Sequence, residues 1–441
     1  MSRLPSEVPA ISGEGFPVVP ATSGKGRRLV ARLTGRGREV LDARVRREAE
    51  RLVRAVRRGG DTALLEAVRR LDDAEAVSLA LGPPNRRAVE PEVPEPLREA
   101  MEGAIAAVDA FHRPQLHPGY RRENDGVELE EVRAPLRRVG LYVPGGRAAY
   151  PSTVIMTVVP ARVAGVAEIA VATPPAAYRA HPALRWVLAR LGVTEVWGMG
   201  GAHAVAALAY GTETIPRVDK VCGPGNAWVT AAKRAVVGDV GIDGLAGPTE
   251  VVIVADAGTD AAWLAADLLA QAEHDPRAAA VLVTRSRALA EEVAAEVARQ
   301  LATLPTAETA RAALARYGGA LLVGSAGEAL ELVEAIAPEH LQLVGPEAEA
   351  LAPRIANAGA TFLGAHTSEV FGDYLAGPSH VLPTCGSARF SSALGVEDFI
   401  RRSHRVRLSG SAAARLAGPT ELFAAAEGLP AHAAAAARRG P

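Results

Sequence analysis

Between residues 139 and 363 the chain repeats one alternation, a short apolar run followed by a stretch whose apolar residues recur at helical spacing. The runs are 139–143, 168–172, 195–197, 220–222, 251–255, 279–283, 321–323, 341–344 and 361–363. Parallel strands cannot be joined by tight turns, so strands alternating with helices build parallel sheets covered on both faces. The expected class is α/β, with two Rossmann-like parallel-sheet domains, a helical N-terminal segment and a small C-terminal helical extension. Two cores suit 441 residues, because a domain usually holds roughly 100 to 200.

Residues 1–25 carry Pro and Gly without periodicity and read as a flexible tail. Residues 26–250 take in N-terminal helices (44–58 and 62–71, split by Gly59-Gly60, then 96–111) and the first sheet domain. The second sheet domain follows over 251–380, and residues 381–441 form the extension, with short helices at its end. Lys+Arg 49 against Asp+Glu 50 leaves a net charge of -1. No basic field attracts nucleic acid or an anionic membrane, so a small-molecule partner is expected. Cys222 and Cys385 are the only cysteines and neither sits in a Cys-x-x-Cys, which argues against a disulfide scaffold. With no membrane-length apolar run and no signal-peptide pattern, a cytoplasmic location is expected.

Within this frame, 260–276 reads as a helix entered at Thr259 or Asp260 and stopped by Pro276. Gln271 and His274, three apart, share a face of its last turn. An imidazole there can cap the helix or, with partners, ligate a metal. Three strand ends run into Gly-rich turns: Tyr142-Val-Pro-Gly-Gly146, Gly198-Met-Gly-Gly-Ala-His203 and Cys222-Gly-Pro-Gly-Asn226. None is a Gly-x-Gly-x-x-Gly, but Gly lets backbone N–H groups approach a ligand at a helix start. Further polar groups stand out among apolar neighbours: Glu339-His340 at a strand start, Asp373 in a Gly-rich loop, and Glu427 and His432 near the C-terminus. Gln271, His274, Asp373 and His432 make a plausible N/O set for a divalent ion, leaving Glu339 and His340 for acid–base work.

Seven of these segments, in order, resemble the histidinol dehydrogenase family: Gly-Leu-Tyr-Val-Pro-Gly-Gly, Cys-Gly-Pro-Gly-Asn, Leu-Ala-Gly-Pro-Thr-Glu-Val, Gln-Ala-Glu-His, Ala-Pro-Glu-His-Leu, Gly-Asp-Tyr with His-Val-Leu-Pro-Thr, and Ala-Ala-Glu-Gly-Leu-Pro-Ala-His. The resemblance implies a zinc enzyme of histidine biosynthesis that oxidises L-histidinol to L-histidinal and then L-histidine, reducing two NAD⁺. It implies Gln271, His274, Asp373 and His432 as ligands of one Zn²⁺ per subunit, and Glu339 and His340 as the catalytic pair. Substrate contacts would come from Thr249, Gln271, His274, His340, Asp373, Glu427 and His432, and NAD contacts from Tyr142, His203 and Asn226. It also implies a homodimer with shared active sites. His203, Thr249 and Ser379 stand where the family usually has Gln, Ser and Asn; Thr249 keeps the hydroxyl and His203 keeps one donor.

That chemistry needs a base near neutrality for the alcohol proton, which neutral His340 supplies, and a carboxylate to activate water for the aldehyde, which Glu339 supplies. A covalent rival would use Cys222 as nucleophile. Outside enzymes, a two-lobed α/β small-molecule binding protein is the alternative; the acid–base pair beside a metal-type donor set weighs against it.

Overall fold

A computed structural model of the chain describes residues 15–39, 42–145 and 150–440. Residues 1–14 of the expected tail, and Gly146 of the first Gly-rich turn, lie outside the described residues. In chain order the strands are β1 (Val18–Pro20), β2 (Tyr120–Asn124), β3 (Val127–Pro135), β4 (Arg138–Tyr142), β5 (Glu168–Thr173), β6 (Glu195–Gly198) and β7 (Lys220–Cys222). They continue with β8 (Gly241–Ile242), β9 (Glu250–Ala255), β10 (Ala279–Thr284), β11 (Gly318–Leu322), β12 (His340–Val344), β13 (Ala360–Leu363) and β14 (Ile400–Leu408).

Two parallel sheets carry the expected alternation. The first has the order β6-β5-β4-β7-β8 and the second β1-β11-β10-β9-β12-β13. Strands β9 and β10 are buried from end to end because helices cover both sheet faces. Side chains alternate between those faces: Val251, Ile253 and Ala255 enter one core and Val252 and Val254 the other. In the first sheet, Tyr142, Ala170 and Ala172 face one core and Val139, Leu141 and Val171 the other. The helical stretch Ala43–Leu71 breaks at Gly60 (φ 52°, ψ −139°), where the sequence places the Gly59-Gly60 split.

Three features depart from the sequence reading. Residues 18–20 are not a loose tail: β1 pairs in parallel with β11, Val18 opposite Ala320. Helix Gly24–Glu39, expected with the first domain, buries Leu29 and Leu33 in a core of the second sheet. A three-residue strand has no periodicity to read, and its partner lies some 300 residues away in sequence. Third, β14, β3 and β2 form an antiparallel sheet where helices and loops were expected. Its strands are joined across by charge, Arg405 to Glu130 and Arg121 to Glu128, rather than by an apolar face. The expected closing helices are Gly410–Ala426 and Pro430–Ala437. Among the described residues no helix is long and apolar enough to cross a membrane.

Gly223 follows β7 with φ 115°, and a Cβ there would meet the Tyr142 carbonyl oxygen at 2.1 Å. Gly258 has φ 85° but open space around it. Gly258→Ala is expected to cost about 1–2 kcal/mol, the price of the left-handed backbone alone. Gly223→Ala is expected to cost more than about 3 kcal/mol, because the backbone must also move. Thermal and urea unfolding of the two variants measure the difference.

Candidate functional site

In both sheets the chain reverses direction of growth at one pair of strands, β4 and β7 in the first and β9 and β12 in the second. In the first sheet the polar residues gather at the carboxyl ends of that pair, where open α/β sheets bind ligands. Tyr142 ends β4, and Gly223 to Asn226 follow β7, whose Cys222 lies opposite Leu141. In the second sheet they gather at the opposite edge: Thr249 precedes β9, and Glu339-His340 open β12, His340 opposite Val251. At the carboxyl end of β9, Asp256 Oδ2 accepts from Glu347 N at 2.7 Å, beside a smaller cavity of about 200 Å³ lined by Thr284, Arg285 and Glu347. A cavity of about 570 Å³ lies between the two edges and is lined by Tyr142, Asn226, Thr249, His274, Glu339, His340, Asp373 and His380.

On the second-sheet side a one-way hydrogen-bond chain orders the polar groups. Glu250 N–H donates to Glu339 Oε2 at 3.0 Å, which fixes that oxygen as an acceptor. The Thr249 hydroxyl donates to the same oxygen. It must then accept from Gln271 Nε2, 2.9 Å away. Gln271 is thereby oriented with its amide nitrogen committed and its buried Oε1 without a partner. An orphaned buried carbonyl oxygen costs free energy unless a ligand meets it, and oxygen, imidazole and carboxylate together suit a borderline cation such as zinc. With His274 and Asp373 in the cavity lining, Gln271 Oε1 completes a donor set whose chemistry suits such a cation.

His340 has its tautomer set in the same way. Its Nδ1 lies 3.1 Å from the Glu250 carbonyl oxygen, which can only accept, so Nδ1 carries the hydrogen. Nε2 is left with its lone pair, 3.9 Å from Asp373 Oδ1. Burial holds the imidazole pKa below its ordinary value, against the pull of Asp373, and so keeps it neutral. Burial also pushes Glu339 up to about 8, opposed by the Thr249 hydrogen bond and reinforced by the Glu250 and Asp373 charges.

On the first-sheet side, burial pushes the Tyr142 hydroxyl up to about 12, so it stays protonated while accepting from Gly201 N–H at 3.1 Å. Asn226 caps helix Ala227–Val236 through Oδ1, which accepts from Trp228 N and Val229 N. Lys233 and Asp243 clamp the turn between, through Gly223 O (2.6 Å) and Gly223 N (2.7 Å). His203 is placed differently from the expectation. It is 1% exposed, does not line the cavity, and sits with Nε2 2.8 Å from Asp72 Oδ2. The same carboxylate accepts from Gly200 N at 2.7 Å, so the Gly200 and Gly201 amides are both taken, one by Asp72 and the other by the Tyr142 hydroxyl.

Glu427 and His432 are not brought to this cavity. Both are exposed on the C-terminal helices. Cys222 is fully buried among apolar side chains, which raises its thiol pKa well above the ordinary value. Two residues at the site escape the sequence reading. His380 reaches the cavity with Nδ1 3.0 Å from the Asp373 carbonyl oxygen, and burial lowers its pKa. Glu369, one helical turn before Asp373, is buried with Oε2 unpartnered; burial, then the charges of Asp373, Asp267 and Glu339, raise its pKa. The signal for Glu369 was its i, i+4 spacing to Asp373; for His380 it was a lone imidazole in the same Gly- and Pro-rich loop.

Comparison with known proteins follows the same lines. The family model of histidinol dehydrogenase matches residues 36–440. Histidinol dehydrogenase 2 of Nostoc sp. is 47% identical over 392 residues, 88% of this chain and 90% of that protein. Histidinol dehydrogenase of Thermus thermophilus is 48% identical over 384 residues, 87% and 91% of the two chains. The crystal structure of histidinol dehydrogenase from Elizabethkingia anophelis matches with a TM-score of 0.89 at 30% identity, covering 97% of this chain and 98% of that one. The comparisons do not favour the binding-protein alternative, and with a family match over residues 36–440 and relatives 47% and 48% identical, the chain belongs to the histidinol dehydrogenase family.

Proposed function

We propose that the chain oxidises L-histidinol to L-histidine through L-histidinal, transferring two hydrides to two NAD⁺ with one zinc ion per subunit. The observation carrying this reading is the chain from Gln271 through Thr249 to Glu339, set beside a neutral His340 with a free Nε2. It supplies a metal donor, a substrate-contacting hydroxyl, a carboxyl and a base within one cavity.

Gln271 Oε1, His274 and Asp373 would hold the zinc together with His432 of the partner subunit; bound there, the ion supplies Lewis-acid contacts that orient the imidazole and amine of histidinol. Thr249 of the same subunit and Glu427 of the partner subunit complete the substrate contacts. Tyr142, whose hydroxyl hydrogen is still free to give, and the Asn226 NH₂ face the nucleotide. His203, braced on Asp72, supports them from behind through the Gly200-Gly201 turn.

In the first oxidation His340 Nε2 takes the alcohol proton as the carbinol carbon gives a hydride to the nicotinamide. In the second, water adds to the aldehyde carbon, Glu339 takes its proton, and the His340 imidazolium formed in the first step gives its proton to the aldehyde oxygen, leaving the hydrate and a neutral His340; a carboxyl raised to about 8 is a stronger base than an ordinary one. His340 then removes a hydroxyl proton of the hydrate as the second hydride leaves, giving the carboxylic acid. Buried Cys222, whose thiolate is disfavoured, stays out of both steps.

The shared site has its own support. Leu422 and Phe423 are 75% and 70% exposed on helix Gly410–Ala426. Exposed Phe371, Tyr374 and Leu375 line an apolar cavity of about 740 Å³ that also reaches His274. Exposed apolar surfaces of this kind mark association sites. The tail of one subunit would cover that cavity on the other and bring Glu427 and His432 to the site.

Three outcomes test the reading. Glu339→Gln should lose at least about 100-fold in kcat with histidinal as substrate yet retain more of the first oxidation, whereas His340→Ala should lose both. Stopped-flow reduction of NAD⁺ with each substrate separates the steps, and parent-rate oxidation of histidinal by Glu339→Gln would remove Glu339 from the water step. Cys222→Ser should keep most of its activity; a loss of several orders of magnitude with fold and zinc content intact would establish the covalent route instead. His340→Asn and His432→Asn, each inactive alone, should regain activity when co-expressed, because a mixed dimer then contains one pocket with neither defect. Mixed dimers that form but stay inactive would show that each tail serves its own subunit.

A further inference from the structure

The catalytic pair rests on a group that touches neither substrate nor cofactor. Glu250, 2% exposed, holds both members at once. Its N–H donates to Glu339 Oε2 and its carbonyl accepts from His340 Nδ1. Its side-chain Oε1 accepts from the Glu339 backbone N–H at 3.3 Å and from Cys385 N–H at 2.8 Å. Cys385 is itself at φ 54°, a backbone that an L-residue adopts only when its surroundings impose it.

The charge on Glu250 is matched by one buried cation. Arg36, also 2% exposed and 214 residues away in sequence, donates to Glu250 Oε2 through Nη1. Its Nη2 lies 2.9 Å from the Pro248 carbonyl, 3.1 Å from that of Thr249 and 2.7 Å from that of Arg277. Tyr317 stacks under the guanidinium, 5.1 Å from its carbon to the ring centroid. One side chain thus grips the segment carrying Thr249, the turn that follows Gln271 and His274, and the residue that holds Glu339 and His340. Lysine cannot replace these contacts, since a compact ammonium lacks the planar fork that reaches a carboxylate and carbonyls together. Nor does the pair explain itself as a stabilising device: a buried ion pair is often no better than well-packed apolar residues.

We infer that Arg36, acting through Glu250, is a positioning residue that sets the geometry of Glu339 and His340 for both oxidations. The inference rests on the assignment of those two residues to catalysis. A displacement of about 1 Å at a reacting group costs on the order of 100-fold in rate, and Arg36 controls the groups at that scale.

The test uses full-length, zinc-loaded enzyme carrying Arg36→Lys, Arg36→Ala or Glu250→Gln, with His340→Ala as reference. Melting temperature, zinc content, and kcat and KM for histidinol, histidinal and NAD⁺ are measured for each. Arg36→Lys is expected to melt below the parent yet remain folded and zinc-loaded at the assay temperature, to keep its KM for NAD⁺, and to lose about 100-fold in kcat per folded, zinc-loaded subunit with either histidinol or histidinal. Guanidinium added to Arg36→Ala is expected to restore part of the lost kcat, while tetramethylammonium at equal ionic strength restores none. A merely structural arginine predicts that activity follows the folded, zinc-loaded fraction and that guanidinium does nothing for kcat; that result overturns the inference. So does a folded Arg36→Lys or Glu250→Gln within twofold of the parent kcat, which decides the matter even if Arg36→Ala does not fold. If His340→Ala itself stays active, the catalytic assignment fails, and that failure is read separately from the Arg36 variants.

Discussion

Two carboxyl groups buried side by side, Glu250 and Glu339, are the constraint around which the centre of the molecule is arranged. Removing a carboxylate from water costs several kcal/mol unless donors replace the lost solvation. The two are treated differently. Glu250 receives a guanidinium and two backbone N–H groups, although burial still leaves its pKa above the ordinary value. Glu339 receives one backbone N–H and one hydroxyl, no cation, and the repulsion of Glu250 and Asp373. One carboxyl is thereby paired with a buried cation, and the other is held with its pKa raised to about 8. Unequal environments for neighbouring acids are a general way of dividing roles between them.

This arrangement draws on parts that are remote along the chain, and the two sheets meet accordingly. The first offers its carboxyl edge, with the Gly223 turn clamped by Lys233 and Asp243. The second offers its amino edge, where Thr249 precedes β9 and His340 begins β12. One cavity is therefore walled by the carboxyl edge of one sheet and the amino edge of the other. The N-terminal helix Gly24–Glu39 belongs to this assembly through Arg36, so the segment before the first sheet is part of the site's foundation rather than an appendage.

The Gly-rich turns show how equal sequence signals can acquire different uses. Gly223 lies beside the Tyr142 carbonyl, and Pro224, Gly225 and Asn226 after it line the cavity. Gly200 and Gly201 look alike in sequence, but their N–H groups are consumed by Asp72 and the Tyr142 hydroxyl. His203 is turned to the same aspartate. The difference lies in which distant side chain arrives first at the amide groups.

The sequence by itself determined the repeating strand–helix alternation, the break at Gly59-Gly60 and the closing helices, because local periodicity records which side of each element is buried. It also supplied Gln271, His274, Glu339, His340 and Asp373 as polar groups set among apolar neighbours, and the structure brings these to one cavity or, for Gln271, to its buried wall. Tertiary structure alone decided that β1 closes the edge of the second sheet and that β14 pairs with β3, since those partners lie hundreds of residues apart. It alone decided that Gln271 presents its oxygen, that His340 keeps its proton on Nδ1, and that Arg36 stands behind both. The direction of a hydrogen bond depends on the partner at its other end, and no pattern within one short segment contains that partner.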